Sequence, residues 1–428
     1  MTHTLADHMR GGISGLALLR GIALLLATVG SILVARNIGV DAYGQLSLVL
    51  AIAAVLAIPS SNTIIPFLVR FTATNDHSRQ YPRLVAAWRW AVRRTWFWAA
   101  VGFSVALLIA AAVAWQNSPE AAIPYAIAAL LPLLWAQAAQ ISGILQGLHR
   151  VVLAQMFDWL VQPVLYIVFV VALLLFGELT LNNVLLSVVA ATLVSIVVGT
   201  LLKRREQKSR SSATHDMHEL PTWQKAWRHY LVIQTVGVAS AKFPLLIVGI
   251  LTVSQEAGQY RAAESIATLL ALLLAIANAF LGPLVTRMYN ENRLEELQKT
   301  MQLISRAALL VAIPLFTLLV VGGEQLISFI YGDEFGAAYF VMIVLLVGQL
   351  VNIACGSVAL LLNMTGHEDM VSKSLGWAFL ASIILCFILV PSYGALGAAI
   401  AASSSMMLWH IVQLVRSIRT VRVNPSIF

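Results

Sequence analysis

The chain has 428 residues, of which 60% are hydrophobic and only 11% charged, with mean hydropathy +0.85 and a net charge of +8. A soluble domain carries about 25% charged residues, so this composition excludes one and predicts a polytopic membrane protein. The apolar runs are continuous and about 20 residues long, which suits spanning helices and not the alternating ten-residue segments of a barrel. In such a protein a positive balance reports loop orientation, not nucleic-acid binding.

Taken in order, the runs predict about twelve spans: 13–35, 43–69, 95–116, 122–146, 152–176, 183–202, 230–253, 258–286, 302–322, 337–363, 371–391 and 394–415. The first is too long for a cleavable signal and holds Arg20. Between spans the longest stretch runs from about Lys203 to His229, charged, Ser-rich and closed by Pro221. That composition reads as a linker, not a soluble domain. The expected organisation is an all-α integral membrane protein: an N-terminal six-helix lobe over 1–202, a cytoplasmic linker over 203–229 and a C-terminal six-helix lobe over 230–428.

A repeat supports the division. Tyr43-Gly44-Gln45 opens an apolar run that closes at Pro66-Phe67-Leu68-Val69-Arg70, and half a chain later Gly258-Gln259-Tyr260 opens one that closes at Pro283-Leu284-Val285-Thr286-Arg287. Two motifs recurring in order at nearly one offset indicate a duplicated bundle, the way many transporters are built.

All 27 Lys and Arg except Arg20, Arg36, Lys242 and Arg261 fall on one side of these spans. The opposite loops carry Asp41, Glu120, Glu178, Glu256, Glu324, Asp333 and Glu334 instead. The positive-inside rule then places both termini and the linker in the cytoplasm. Arg79 to Arg94, with Tyr81, Trp88 and Trp90 and followed by Trp96 and Trp98, reads as an interfacial segment. An ordinary membrane anchor is its first reading and headgroup recognition its second. His215-x-x-His218 in the linker is a weak metal signal, since an isolated pair is common. Gly143-x-x-x-Gly147 and the small residues Gly394, Gly397, Ala398, Ala401, Ala402 and Ser405 read as close helix packing. Cys355 and Cys386 lie inside apolar runs and predict neither a disulfide nor a metal site.

The charges inside spans carry the chemistry, because each costs at least about 2.5–3.5 kcal/mol at mid-membrane and so faces water or a partner. Lys242 is the deepest, with Pro244 interrupting the helix just beyond it. Arg20 lies about 10 Å into the first span; Arg36 sits at that span's outer end, where snorkelling suffices. Arg261 and Glu264 are spaced i, i+3, so they either serve a cavity or neutralise each other. Gln155, Asp158 and Gln162 form one polar stripe that is expected to face the bundle interior. Asp158 there binds a coupling cation or pairs with a buried base. Asn278, Gln349, Asn352 and Asn363 are expected to make interhelical hydrogen bonds. Fixed positive charges at Arg20, Lys242 and Arg261 around one cavity favour an anionic substrate, and a pyrophosphate headgroup fits. The chain has no Walker loop, zinc-binding His motif or serine nucleophile elbow. The reading is therefore a non-enzyme without a cofactor, driven by a Na+ or H+ gradient, the membrane potential or substrate consumption.

Several short motifs carry a family resemblance across the whole chain. Arg36-Asn37-Ile38-Gly39-Val40-Asp41-Ala42-Tyr43-Gly44 resembles the turn after the first helix of the polysaccharide-exporting flippases, and Glu256 to Tyr260 its counterpart in the second half. Tyr331-Gly332-Asp333-Glu334-Phe335, Gly366-His367 and Tyr393-Gly394-Ala395-Leu396-Gly397-Ala398-Ala399 are similar to further elements of that family. It belongs to the multidrug/oligosaccharidyl-lipid/polysaccharide exporter superfamily. The resemblance implies two pseudo-symmetric lobes around a cationic central cavity, worked by alternating access. It also implies a polyprenyl-pyrophosphate-linked oligosaccharide as cargo, moved across a bacterial inner membrane for surface polysaccharide synthesis, beside membrane lipids and other membrane proteins of that pathway. Two alternatives stand against it. A cation-coupled multidrug extruder would want acids in the cavity, whereas bases predominate here; a glycan polymerase or ligase would want a large external loop, and these loops are short.

Overall fold

The computed structural model describes residues 2–78, 80–207 and 220–427, and every regular element among them is a helix. His215 and His218 lie outside the described residues. In chain order the helices are α1 (Thr2–Leu56), α2 (Ile64–His77), α3 (Tyr81–Gln116), α4 (Pro119–Ala128), α5 (Leu131–Gly147), α6 (Val151–Met156) and α7 (Gln162–Leu175). They continue as α8 (Leu181–Gln207), α9 (Leu220–Leu251), α10 (Ser254–Asn290), α11 (Leu294–Tyr331), α12 (Ala338–Cys355), α13 (Val358–Met364) and α14 (Glu368–Thr420).

Among the described residues, ten helical segments are long and apolar enough to cross a membrane. Two of them hold two spans each. α1 bends at Gly39, where φ is +80°, and the Ser31 hydroxyl bonds that of Tyr43 although 12 residues separate them. Straight helix would hold those residues roughly 18 Å apart. α14 bends at Gly394, where φ is +53°, and Gln413 Nε2 donates to Ser374 Oγ at 3.0 Å. Read as hairpins, these two elements restore the twelve expected spans.

Each bend frees the first N–H groups of the helix that follows, and a carboxylate from elsewhere in the chain accepts one. Val40 N donates to Glu334 Oε2 at 3.3 Å, and Ala395 N to Glu256 Oε2 at 2.7 Å. The duplicated motifs also meet. A methyl group at Gly44 would collide with the Ser254 carbonyl oxygen, and one at Gly258 with that of Val40. Only glycine permits so close a backbone approach.

Prolines and bulges are absorbed by hydroxyls. After Pro59 the chain widens to a π turn over Ile58–Asn62; Ser60 and Ser61 Oγ donate to Ala57 O, and Thr63 Oγ1 to Ile58 O at 2.9 Å. A second π turn covers Phe157–Val161, where Ser195 Oγ donates to Phe157 O at 2.6 Å. Serine and threonine re-satisfying freed carbonyls is what lets such irregular helix persist without water.

The chain forms two compact units, Met1–Ser47 with Ser240–Phe428, and Leu48–Ala239. The first unit joins the start of the chain to its second half. In the first unit Arg36 Nη1 donates to Phe329 O at 2.9 Å, in the last turn of α11. The chain after α14 also folds back there. Val421 and Val423 are buried, Ser305 Oγ donates to Pro425 O, and Ile427 N donates to Ala354 O beside the break between α12 and α13. In the second unit, α5 lies directly on α2: a methyl at Gly143 would sit 2.8 Å from Leu68 Cβ, so the Gly-x-x-x-Gly pair does serve packing.

Candidate functional site

Lys242, Arg261 and Glu264 come together in the first unit. α9 supplies Lys242, held by Phe243, whose ring meets Phe379 and Phe387 of α14 edge-on at 5.7 and 6.2 Å. α10 supplies the other two on one face, and Arg261 Nη1 reaches Glu264 Oε2 at 2.5 Å. Their side chains keep 33% and 22% of their exposure, so the pair is neither dry nor free in solvent. Glu264 and Arg261 are the charged groups that act on Lys242. The cluster therefore holds two cations against one carboxylate. A dianionic phosphate ester would find charge-assisted donors from both bases.

A shell of hydroxyls fixes the cluster. Ser265 Oγ donates to Arg261 O at 2.9 Å and lies 3.4 Å from Ser31 Oγ, which bonds Tyr43. The Tyr43 and Tyr331 rings flank Phe335, at 6.0 and 5.4 Å. Tyr331 is buried, with its hydroxyl facing those of Ser31 and Ser265. Tyr43 was visible in the sequence as the start of a turn. Tyr331 was visible too, as the start of the Tyr331-Gly332-Asp333-Glu334-Phe335 motif; Ser31 and Ser265 carried no signal, because a lone hydroxyl in an apolar run is ordinary.

The other expected residues lie elsewhere. Arg20 is exposed on α1, roughly 16 Å of helix rise before Ser31. Asp158 belongs to the second unit and is exposed, while Gln155 and Gln162 are half-buried. A π turn over Phe157–Val161 carries Asp158 and separates Gln155 from Gln162 by other than regular helical spacing. Asn352 Nδ2 donates to Gln349 Oε1 at 3.1 Å within α12, so this pair is intrahelical where an interhelical bond was expected.

The polysaccharide biosynthesis protein family matches residues 10–289 of the chain. A probable low-salt glycan biosynthesis flippase, Agl15 of Haloferax volcanii, is 23% identical over 180 residues, 41% of this chain and 38% of that protein. The chain thus matches well under half the length of this relative. Among solved structures, a multidrug resistance MATE family transporter of the MOP superfamily, in its inward-facing conformation, aligns with TM-score 0.75 and 14% identity over 95% of this chain and 98% of that one. The lipid II flippase MurJ, in an inward closed conformation, aligns with TM-score 0.66 and 13% identity over 94% and 87%. At such identities the two structures establish the fold alone: an all-α integral membrane architecture. With the family match covering well over half its residues, the chain belongs to the polysaccharide biosynthesis protein family.

Proposed function

We propose that this protein is a flippase. It translocates a polyprenyl-pyrophosphate-linked oligosaccharide from the cytoplasmic to the outer leaflet of a bacterial inner membrane, for cell-surface polysaccharide synthesis. The observation that carries the reading is the pair of bases, Lys242 and Arg261, set against the single acid Glu264 inside apolar helices. A buried excess of positive charge persists when an anionic partner offsets its cost. In this reading Lys242 and Arg261 hold the pyrophosphate, and Arg20, on the basic side of the first span, draws the headgroup in. The glycan occupies hydrated space and the polyprenyl tail stays in lipid.

The moving bodies are the lobes over 1–202 and 230–428, joined by the linker over 203–229, with both termini in the cytoplasm. No bond in the cargo breaks, so the protein acts as a transporter and not as an enzyme. A Na+ or H+ gradient supplies the driving force, with Asp158 as the group through which the ion acts. Support comes from the family match, from the glycan flippase Agl15 and from the fold shared with MurJ.

The likeness to MATE-family transporters makes organic cations the competing cargo. Proteoliposomes carrying the wild-type protein separate the two. Transfer of a polyprenyl-pyrophosphate glycan between leaflets, without uptake of a fluorescent organic cation, is the expected result. Uptake of the cation alone would contradict the proposal.

A further inference from the structure

At the basic end of the Leu48–Ala239 unit, α3 and the start of α9 run side by side in one direction. The Trp90 and Trp223 ring centroids lie 6.0 Å apart, and one turn further on both helices Arg94 sits 4.4 Å over the Trp227 ring. Trp98 stacks on Trp227 at 5.6 Å with an interplanar angle of 18°. The guanidinium is therefore aimed by aromatic faces.

Among the described residues, no carboxylate pairs with this arrangement. The charged group acting on Arg94 is Arg228, a second cation. Arg94 Nε and the indole Nε1 atoms of Trp98, Trp223 and Trp227 are buried without a hydrogen-bond partner. Buried donors are normally satisfied, so a cluster of donors with no acceptor describes half of a site whose other half is an anion. A plain membrane anchor has no need of this, because anchoring indoles direct their N–H groups to water and headgroups.

The surface around the cluster specifies the kind of anion. Lys225 and Arg228 are exposed at its level. One turn deeper the exposed residues become apolar: Phe97 at 57% on α3, Val232 at 65% and Ile233 at 37% on α9. Cations at one depth and exposed apolar side chains at the next match a phosphate headgroup with acyl chains below it. A free phosphate would use only the first layer.

We propose that Arg94 and Arg228, with the indole N–H groups of Trp98 and Trp227, form a binding site for the phosphate group of an anionic membrane phospholipid. This site lies in a different unit from Lys242 and Arg261 and does not rest on the flippase reading. The lipid acts as a fixed ligand that ties α3 to the start of α9.

Native mass spectrometry of the delipidated full-length protein tests it, with phosphatidylglycerol, phosphatidylcholine, inorganic phosphate and polyprenyl pyrophosphate as probes. The expected result is a phosphatidylglycerol adduct at least about tenfold more persistent than the phosphatidylcholine one. It should be lost in Arg94→Gln and Arg228→Gln, weakened severalfold in Trp227→Phe, and retained in Lys242→Gln. Because Arg228 is exposed, Arg228→Gln reports on binding even if Arg94→Gln folds poorly. Four outcomes would overturn the proposal: equal retention of both phospholipids, displacement by millimolar inorganic phosphate, displacement by an equimolar amount of polyprenyl pyrophosphate, or full retention in Arg228→Gln. Full retention in Trp227→Phe would contradict the role given to the indole donors.

Discussion

Lys242, Arg261 and Glu264 differ in what removing their charge should do, and the difference separates a binding site from a structural ion pair. The Arg261–Glu264 pair is partly exposed, so its coupling is worth only about 1 kcal/mol after solvent screening. A double-mutant cycle of Arg261→Gln and Glu264→Gln, read by thermal melting in detergent, should return a value of that order. Binding should respond asymmetrically. Arg261→Gln should weaken polyprenyl-pyrophosphate binding about tenfold, the effect of about 1.4 kcal/mol, while Glu264→Gln tightens it by removing the competing anion. Equal losses from both substitutions would mean that the pair only holds α10 together. The bases of this site were legible in the sequence because charge in an apolar run is conspicuous. Arg20 and Asp158 were equally conspicuous; α1 carries Arg20 eleven residues before Ser31, and Asp158 lies within a π turn of the second unit. Periodicity arguments assume regular helix, and the turn over Phe157–Val161 is not regular helix.

The short motifs of the sequence acquire physical reasons at the level of elements. Glu334 and Glu256 each cap a helix that starts after a glycine bend, so their substitutions should behave alike. Glu334→Gln and Glu256→Gln should each cost about 0.5–1 kcal/mol, the usual worth of a carboxylate at a helix N-terminus, visible as a lowered melting temperature. Gly44→Ala and Gly258→Ala should cost more, about 1–3 kcal/mol, because the new methyl meets a backbone carbonyl that cannot rotate away. Melting of the four variants side by side checks this order; harmless alanines would contradict the close approach. The bends were legible only as glycines inside motifs. Their acidic partners were visible as outer-loop acids, with no hint that each reaches a helix start far away in the chain. The return of residues 421–427 onto α11 had no signal at all, since Val-Arg-Val-Asn-Pro is too short for periodicity to register.

On the scale of the whole molecule, the number of spans and the twofold repetition were legible because a bilayer forces long apolar runs. The grouping of α1 up to Ser47 with the second half was not, because it rests on single contacts such as Ser31 with Ser265 and Arg36 with Phe329. In the proposed transport cycle these contacts open and close. Linking them should arrest it: Ser31→Cys with Ser265→Cys, oxidised to a disulfide, should abolish transport, and reduction should restore it. Full transport by the cross-linked protein would show that α1 never leaves this position. The most direct measurement is a leaflet assay in proteoliposomes with a polyprenyl-pyrophosphate oligosaccharide, wild type beside Lys242→Gln. Equilibration by the wild type and its loss in a folded Lys242→Gln variant is the predicted result; equal transfer by both would contradict the cationic site at the centre of this account.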